Sequence, residues 1–291
     1  MSLNREIYGL VGYPVKHSLS PLMHNAAFEY LGIDAEYRIF EVGPDDLEDF
    51  LINRRDILGF NITVPYKVKA KEILGRELSA AGYLSEGEIA VSMTSAVNTV
   101  KREPDLKLYN TDVLGFSKSL VDDLGFDKKE KKALVIGSGG AGRAVVAGLS
   151  EENNSVSKIY IFEIDRDTIS NVSEHLSGID RLKDKFEFIR ESDIAAVIKE
   201  CDLLVNATAV GMRDGDGAVI DLSLLHGNLS VYDVIYNRET ALIKEALSLD
   251  LFASDGLGML LYQGAAAFEI FTGEDAPIEV MRDALLKGVN R

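Results

Sequence analysis

The chain has 291 residues, with 31 lysines and arginines against 47 acids, so its formal net charge at pH 7 is −16. Such a field repels phosphate backbones and anionic membranes, which argues against nucleic acid or lipid as the main partner. An apolar share of 46% excludes a disordered chain, and this length predicts two domains rather than one core.

In chain order, EIYGLVGYPV reads as a strand and SPLMHNAAFEYLG as a helix, with Ser20 as N-cap, Pro21 in the first helical position and Gly32 closing it. YRIFEV is a second strand, PDDLEDFLINRR a helix with acids in its first turn, and LGFNITVP a third strand that stops on Pro65. YKVKAKEIL is helical, and AVNTVKRE and LKLYNTD are two strands around a charged turn containing Pro104. This alternation predicts a mostly parallel sheet covered by helices. DVLGFSKSLVDDLGF then leads into DKKEKK, read as a solvated turn, and a second α/β series begins. Its strands are ALVIG, KIYIFEI, KFEFI, CDLLVNAT, LSVYDVIY and LFASDG; AGRAVVAGLSEE, TISNVSEHLSG, DIAAVIKE and ALIKEALSL are helices among them. The last two helices, GMLLYQGAAAFEIFTG and PIEVMRDALLKG, have no strand after them and are assigned back to the first domain.

The apolar stretch 257–271 carries Gln263 and Glu269 and is too short to span a bilayer. The first residues, MSLNREIYGL, show no basic segment followed by a long apolar run. The single cysteine, Cys201, sits in an apolar run and cannot form an internal disulfide, as expected of a reducing cytoplasm. Oligomeric state stays open between monomer and homodimer.

ALVIGSGGAGRAV combines a buried strand, a glycine-rich turn and a helix. Gly137, Gly139 and Gly142 satisfy G-x-G-x-x-G: the first permits the tight turn, the second lets backbone approach a pyrophosphate, and the third allows close helix–strand packing. With Ser138, Gly140 and Ala141 they would present free N–H groups and the positive end of a helix to a dinucleotide. Glu163 ends the next strand, 21 residues after Gly142. An acid there accepts from the ribose 2′-OH of NAD and repels a 2′-phosphate, and Asp165 adds a second charge. Arg166 is the one residue that speaks for NADP, and it lies past both acids. The expected cofactor is NAD, with NADP left open. The fold expected is therefore α/β in two domains: a mostly parallel substrate domain of residues 1–112 plus 258–291, and a Rossmann dinucleotide-binding domain of residues 113–257.

GYPVKHSLSPLMHN, NITVPYK, SAVNT and YNTD precede the dinucleotide motif in this order, and NATAVGM, YDVIYN and ASDGLGMLLYQGA follow it. This set resembles the shikimate dehydrogenase family, including its quinate/shikimate dehydrogenase relatives, over nearly the whole chain. The resemblance implies NAD(P)-linked interconversion of 3-dehydroshikimate and shikimate. Lys67 matches the lysine beside the reacting oxygen, and Asp112 its carboxylate partner. Oxidising a secondary alcohol requires a group that takes the hydroxyl proton as hydride leaves, and a lysine of lowered pKa can do so. Two roles stay open for Lys67, proton transfer and electrostatic orientation of the oxygen. Asp112 has two as well, substrate contact and N-cap of the following helix.

By the same resemblance Ser18 and Ser20 bind the substrate carboxylate, as neutral hydroxyls can. Thr63, Asn98 and Gln263 match contacts to ring hydroxyls, and Tyr236 matches a tyrosine near the carboxylate. Asn206, Thr208, Val234, Gly256 and Met259 border the cofactor. Two departures stand out: Val113 follows Asp112 where the family commonly has glycine, and 31 positions separate Lys67 from Asn98. The extra residues around AAGYLSEGEIAVSM are expected as a longer helix or a flap. EIDRD is similar to the NAD-using quinate/shikimate enzymes, whereas the serine pair leans toward shikimate. A preference for quinate and a catalytically silent sensor are the alternative readings. His17 and His24 lack a metal-ligand pattern, so no metal is expected.

Overall fold

The computed structural model describes residues 5–80, 89–102, 105–152 and 154–289. The chain forms two compact units, Met1–Gly115 with Leu261–Arg291, and Phe116–Leu260.

The first unit opens with β1 (Glu6–Gly12), α1 (Ser20–Leu31), β2 (Ala35–Glu41), α2 (Leu47–Asn53), β3 (Gly59–Ile62) and α3 (Lys67–Ala80). It continues through α4 (Ile89–Thr94), β4 (Thr99–Lys101) and β5 (Lys107–Tyr109) into α5 (Thr111–Asp122). The sheet order is β2-β1-β3-β4-β5. β1 lies parallel to β2 and β3, while β4 runs antiparallel to both β3 and β5. Parallel neighbours require a long crossover; the few residues between β4 and β5 permit only an antiparallel return. One face of the sheet packs Val11, Phe60, Ile62, Ala70, Ile73 and Leu74 into an apolar core. On the other, Tyr8 meets Phe28 and Phe271 at centroid distances of 5.6 and 5.1 Å.

Two local expectations change here. Ser20 does not cap α1: its hydroxyl bonds no helix N–H, and its own N–H instead donates to Ser18 Oγ at 3.2 Å. The reason is local, because Leu19 already takes helical dihedrals and moves Ser20 into the first turn. PDDLEDFLINRR splits into a 3₁₀ turn at Pro44–Asp46 followed by α2, which ends at Asn53. Of the segment expected as a longer helix or flap, residues 81–88 lie outside the described residues, and Ile89–Thr94 is α4.

The second unit holds β6 (Lys132–Ile136), α6 (Gly140–Leu149), a hairpin of β7 (Ser150–Glu151) and β8 (Asn154–Ser155), β9 (Lys158–Phe162), α7 (Arg166–Ser177) and β10 (Phe186–Ile189). α8 (Ile194–Val197), β11 (Leu203–Asn206), β12 (Ser230–Asp233), α9 (Ala241–Ser248) and β13 (Ala253–Ser254) complete it. Its six-stranded sheet is parallel throughout, in the order β10-β9-β6-β11-β12-β13. Chain direction across the sheet reverses between β6 and β11, the switch point where doubly wound sheets bind nucleotides. α10 (Leu257–Thr272) begins in this unit and ends in the first, and α11 (Ile278–Gly288) packs on α1.

DKKEKK is not simply a solvated turn. Lys128 is buried, and its ammonium donates to Gly148 O at 2.8 Å and to Glu151 Oε2 at 2.5 Å. A cation at the C-terminal end of α6 complements the carbonyls there, and with the Glu151 carboxylate it offsets the cost of taking the ammonium out of water. Among the described residues no helix is long and apolar enough to cross a membrane.

Candidate functional site

The NITVPYK stretch ends β3 at Ile62, and a tight turn then delivers Lys67 as the first residue of α3. Tyr66 N–H donates to Thr63 O at 3.0 Å, and its buried hydroxyl to Val42 O at 2.7 Å, so the turn is anchored on both sides. Lys67 Nζ lies 2.6 Å from Asp112 Oδ2, with side-chain exposures of 13% and 6%. This is a pair largely withdrawn from water, unlike exposed ion pairs such as Arg54–Asp56. An ammonium has three N–H donors and a carboxylate only acceptors; the pair uses one of the donors.

Asp112 is not the N-cap of α5, for it already lies inside the first turn. Asn110 occupies the capping position: its Oδ1 accepts from Asp112 N–H at 3.2 Å. Its amide donates to Thr94 Oγ1 at 2.9 Å and Ala96 O at 3.1 Å. The carboxylate of Asp112 is thereby left to Lys67. Val113 continues the helix, so no turn follows Asp112 that would need glycine.

Asn98 and Gln263 come together, with Asn98 Nδ2 3.5 Å from Gln263 Oε1 and 3.0 Å from Thr111 Oγ1. Asn98 Oδ1 accepts from Thr111 N–H at 2.7 Å and from Thr99 Oγ1 at 2.9 Å. Thr111 adjoins Asp112, so this amide cluster and the Lys67–Asp112 pair share one helix start. Ser18 and Ser20 place their hydroxyl oxygens 3.2 Å apart. Their turn is tied to the end of β3: Tyr13 N–H donates to Val64 O at 3.3 Å, and a Cβ on Gly12 would lie 2.4 Å from the Thr63 methyl. Glu41 holds the same turn by accepting from Val15 N–H, and that contact keeps its carboxyl below the usual range. Tyr236 belongs to the second unit, two residues past Val234; burial raises its phenol above the ordinary value.

In the second unit the glycine loop follows β6 directly. Gly137 has φ +93°, a left-handed conformation that other residues rarely adopt. A Cβ on Gly142 would fall 2.1 Å from Gly137 O, so only glycine lets α6 pack this closely. A Cβ on Gly139 would meet nothing within 4 Å, and α6 begins there with no side-chain cap. Bare helical N–H groups, with open space at the second glycine, fit a pyrophosphate.

Glu163 sits just past β9. Its Oε2 accepts from Ser138 N–H at 2.8 Å and Ser138 Oγ at 3.1 Å; Oε1 accepts from the N–H groups of Ile164 and Asp165. The acid therefore secures the loop as well as carrying charge beside it. Asp165 N-caps α7, accepting from Thr168 N–H at 2.6 Å, and that bond lowers its carboxyl.

Asn206 Oδ1 accepts from the N–H and hydroxyl of Thr208, and Asn206 Nδ2 donates to Asp233 Oδ1 at 3.0 Å. Asp233, which sequence reasoning passed over, is buried, and desolvation raises its pKa; Thr240 Oγ1 donates to its other oxygen at 2.7 Å. An acid inside the apolar run SVYDVIY was the available signal. Gly256 abuts Val234, where a Cβ would lie 2.0 Å from Val234 O, and Met259 is buried a turn later. His17 is exposed, whereas His24 is buried. Among the described residues no three His, Cys, Asp or Glu side chains gather as metal ligands.

Two family models match the chain: the shikimate dehydrogenase substrate binding domain over residues 10–100, and the shikimate 5′-dehydrogenase C-terminal domain over residues 256–286. A shikimate dehydrogenase (NADP(+)) of Methanobrevibacter smithii is 37% identical, covering 97% of this chain and 96% of its own. The crystal structure of shikimate 5-dehydrogenase from Listeria monocytogenes, in complex with shikimate and NAD, superposes with a TM-score of 0.81 at 31% identity, covering 98% of each chain. Quinate dehydrogenase from Corynebacterium glutamicum in complex with NAD also reaches 0.81, at 27% identity, covering 97% of this chain and 99% of its own.

Proposed function

The chain belongs to the shikimate dehydrogenase family, an oxidoreductase acting on a CH–OH group, and we propose that it reversibly reduces 3-dehydroshikimate to shikimate with NAD as its preferred dinucleotide. The observation that carries this reading is the 2.6 Å contact between Lys67 and Asp112, sheltered at the end of β3. In the direction of reduction, Lys67 as ammonium gives a proton to the ketone oxygen; in oxidation it takes that proton back. Asp112 holds the ammonium in place and accepts from a neighbouring ring hydroxyl. Ser18 and Ser20 bind the carboxylate, with Tyr236 near it, while Thr63, Asn98 and Gln263 meet the hydroxyls. The nicotinamide, when bound, supplies or removes the hydride.

The glycine loop 137–142 receives the pyrophosphate, and Asn206, Thr208, Val234, Gly256 and Met259 border the dinucleotide. Glu163 and Asp165 support NAD, because a 2′-phosphate would bring further negative charge against two carboxylates. The M. smithii relative carries NADP(+) in its name, so the dinucleotide is the sharpest point of test. The same strand-end acids and the likeness to an NAD-bound quinate dehydrogenase favour quinate as a second substrate. A cytoplasmic enzyme fits the single buried cysteine.

The test is a comparison of initial rates with shikimate or quinate, each with NAD⁺ or NADP⁺, on the wild type and on Lys67→Ala. Shikimate with NAD⁺ is expected to be the fastest pair. Lys67→Ala is expected to lose on the order of 10²-fold or more in turnover while retaining cofactor binding. A preference for NADP⁺ would overturn the reading of the two acids, and unchanged turnover in Lys67→Ala that of Lys67. If neither acid is oxidised, the substrate assignment fails.

A further inference from the structure

Behind the substrate-facing amides of the first unit lies a buried hydrogen-bond chain whose polarity is set at both ends by backbone groups. At one end Thr111 N–H, which can only donate, meets Asn98 Oδ1 at 2.7 Å. At the other, the carbonyl of Asn98, which can only accept, faces Asn61 Nδ2 at 3.3 Å. Asn61 therefore turns its nitrogen toward Asn98 and Thr99, with Thr99 Oγ1 at 2.8 Å, and its oxygen toward β2. There Tyr37 OH donates to Asn61 Oδ1 at 2.6 Å. Tyr8 on β1 pairs with Tyr37, and Leu10 on β1 with Asn61. The two polar residues thus share the face on which the phenol reaches across the central strand. Tyr37 is 1% exposed and Asn61 5%. The Tyr37 ring stacks on His24 at 4.1 Å with an interplanar angle of 2°, and desolvation raises the phenol far above its usual range, so it stays a donor.

The consequences pass inward. With Thr99 Oγ1 receiving the Asn61 proton, its own proton points to Asn98 Oδ1 at 2.9 Å, the shorter of its two remaining contacts, Thr111 Oγ1 lying at 3.2 Å. That oxygen is then taken by the Thr99 hydroxyl and the Thr111 amide, and Asn98 can offer only N–H, one facing Thr111 Oγ1 at 3.0 Å and the other Gln263 Oε1 at 3.5 Å, the longer contact being the one a ring hydroxyl would replace. We propose that Tyr37 is a positioning residue for the reaction: the Thr111 amide sets the sense of the Asn98 carboxamide, and Tyr37, through Asn61 and Thr99, holds it in place so that this side chain meets a ring hydroxyl of the substrate as a donor only. The hydroxyl so engaged must accept from Asn98 and send its own proton elsewhere, which sets the sense of hydrogen bonding around the ring. This inference rests on the reading above that Asn98 contacts the substrate.

Removing the Tyr37 hydroxyl leaves Asn61 Oδ1 buried without its donor and loosens Asn61 and Thr99, so that Asn98 keeps the Thr111 amide but loses the second donor that holds its oxygen in place. A double-mutant cycle of Tyr37→Phe with Asn98→Ala tests this, with active sites counted by cofactor titration. Tyr37→Phe is expected to lower kcat/KM for shikimate about tenfold, chiefly through KM, with the KM for the dinucleotide unchanged. In the Asn98→Ala background the same substitution is expected to change kcat/KM less than about twofold. An equal loss in both backgrounds overturns the proposal, as does a lowered Tm with unchanged kinetics. If Asn98→Ala itself behaves as wild type, the substrate contact of Asn98 is what has failed. Should Tyr37→Phe not fold, Asn61→Asp keeps the acceptor for Tyr37 but removes the donor to Thr99. It must show the same loss and the same non-additivity, and additivity there equally overturns the proposal.

Discussion

His24 is a built-in reporter of acid stability in the first unit. Its imidazole is fully buried between Tyr37 and the rings of Phe268 and Phe271, and neither ring nitrogen has a hydrogen-bond partner. Desolvation lowers its pKa from 6.5 to about 3. The unfolded chain therefore binds a proton below pH 6.5 that the native chain refuses until about pH 3. Where the unfolded state binds more protons, stability rises with pH, so this residue costs stability as pH falls through 6.5. Between pH 7.5 and pH 5.0 linkage gives a loss of about 2 kcal/mol from His24 alone. That figure scarcely depends on the native value so long as it lies below 5.

His24→Phe keeps an aromatic ring in the stack and removes the titration. Urea unfolding followed by far-ultraviolet circular dichroism at the two pH values gives four stabilities. The carboxylates contribute alike to both proteins, so the wild type is expected to lose about 2 kcal/mol more than the variant. A parallel loss in the two would refute the reasoning, since it would mean that native His24 takes up a proton as readily as the unfolded chain.

The dinucleotide loop offers a paired test. Gly142→Ala must displace α6 from Gly137 O, which a Cβ would approach to 2.1 Å, so both thermal stability and dinucleotide affinity are expected to fall. Gly139→Ala, with open space around its Cβ, is expected to retain Tm and lose affinity at least about tenfold, as measured by nucleotide titration. Retained affinity in Gly139→Ala would refute the pyrophosphate reading. At Lys128 the prediction runs against exposure. Glu151 is the more exposed partner, with side-chain values of 43% against 1%. Even so, Glu151→Gln strands a buried ammonium and is expected to cost about 2–3 kcal/mol, whereas Lys128→Met removes the charge and costs under about 1 kcal/mol. Urea midpoints in the reverse order would refute this.

What sequence could disclose followed from periodicity and from residues with few conformational options. The run ALVIG, the glycine spacing and the closing Gly32 all constrain backbone locally, and each element formed where such signals stood. The serine cap failed because capping turns on one residue's dihedrals, and Leu19 gave no sign of becoming helical. Of the two roles left open for Asp112 the capping one fell to Asn110, two residues earlier, because Asn110 and Thr111 are equally good candidates to open a helix. Lys128 was hidden inside a run of six charged residues, where composition argues for solvent and only the fold shows which lysine meets α6. Tyr37 and Asn61 were illegible for a different reason. A polar residue in an apolar strand shows its worth only once its partners, distant in sequence, are known.

The Lys128 contact bears on how a chain of charge −16 could receive an anion. With an ammonium bonded at the carbonyl end of α6 and no side chain capping its first N–H groups, the helix is capped at one terminus only, the Glu163 carboxylate beside the loop being already held by Ser138, Ile164 and Asp165. Its uncapped terminus is the one that opens from the glycine loop. A phosphate approaching that terminus meets a short-range attractive potential inside a long-range repulsive one. Raising ionic strength screens the outer field sooner than the inner one. Moderate salt should therefore speed capture of the dinucleotide, the opposite of its effect on enzymes that draw anions with a basic surface.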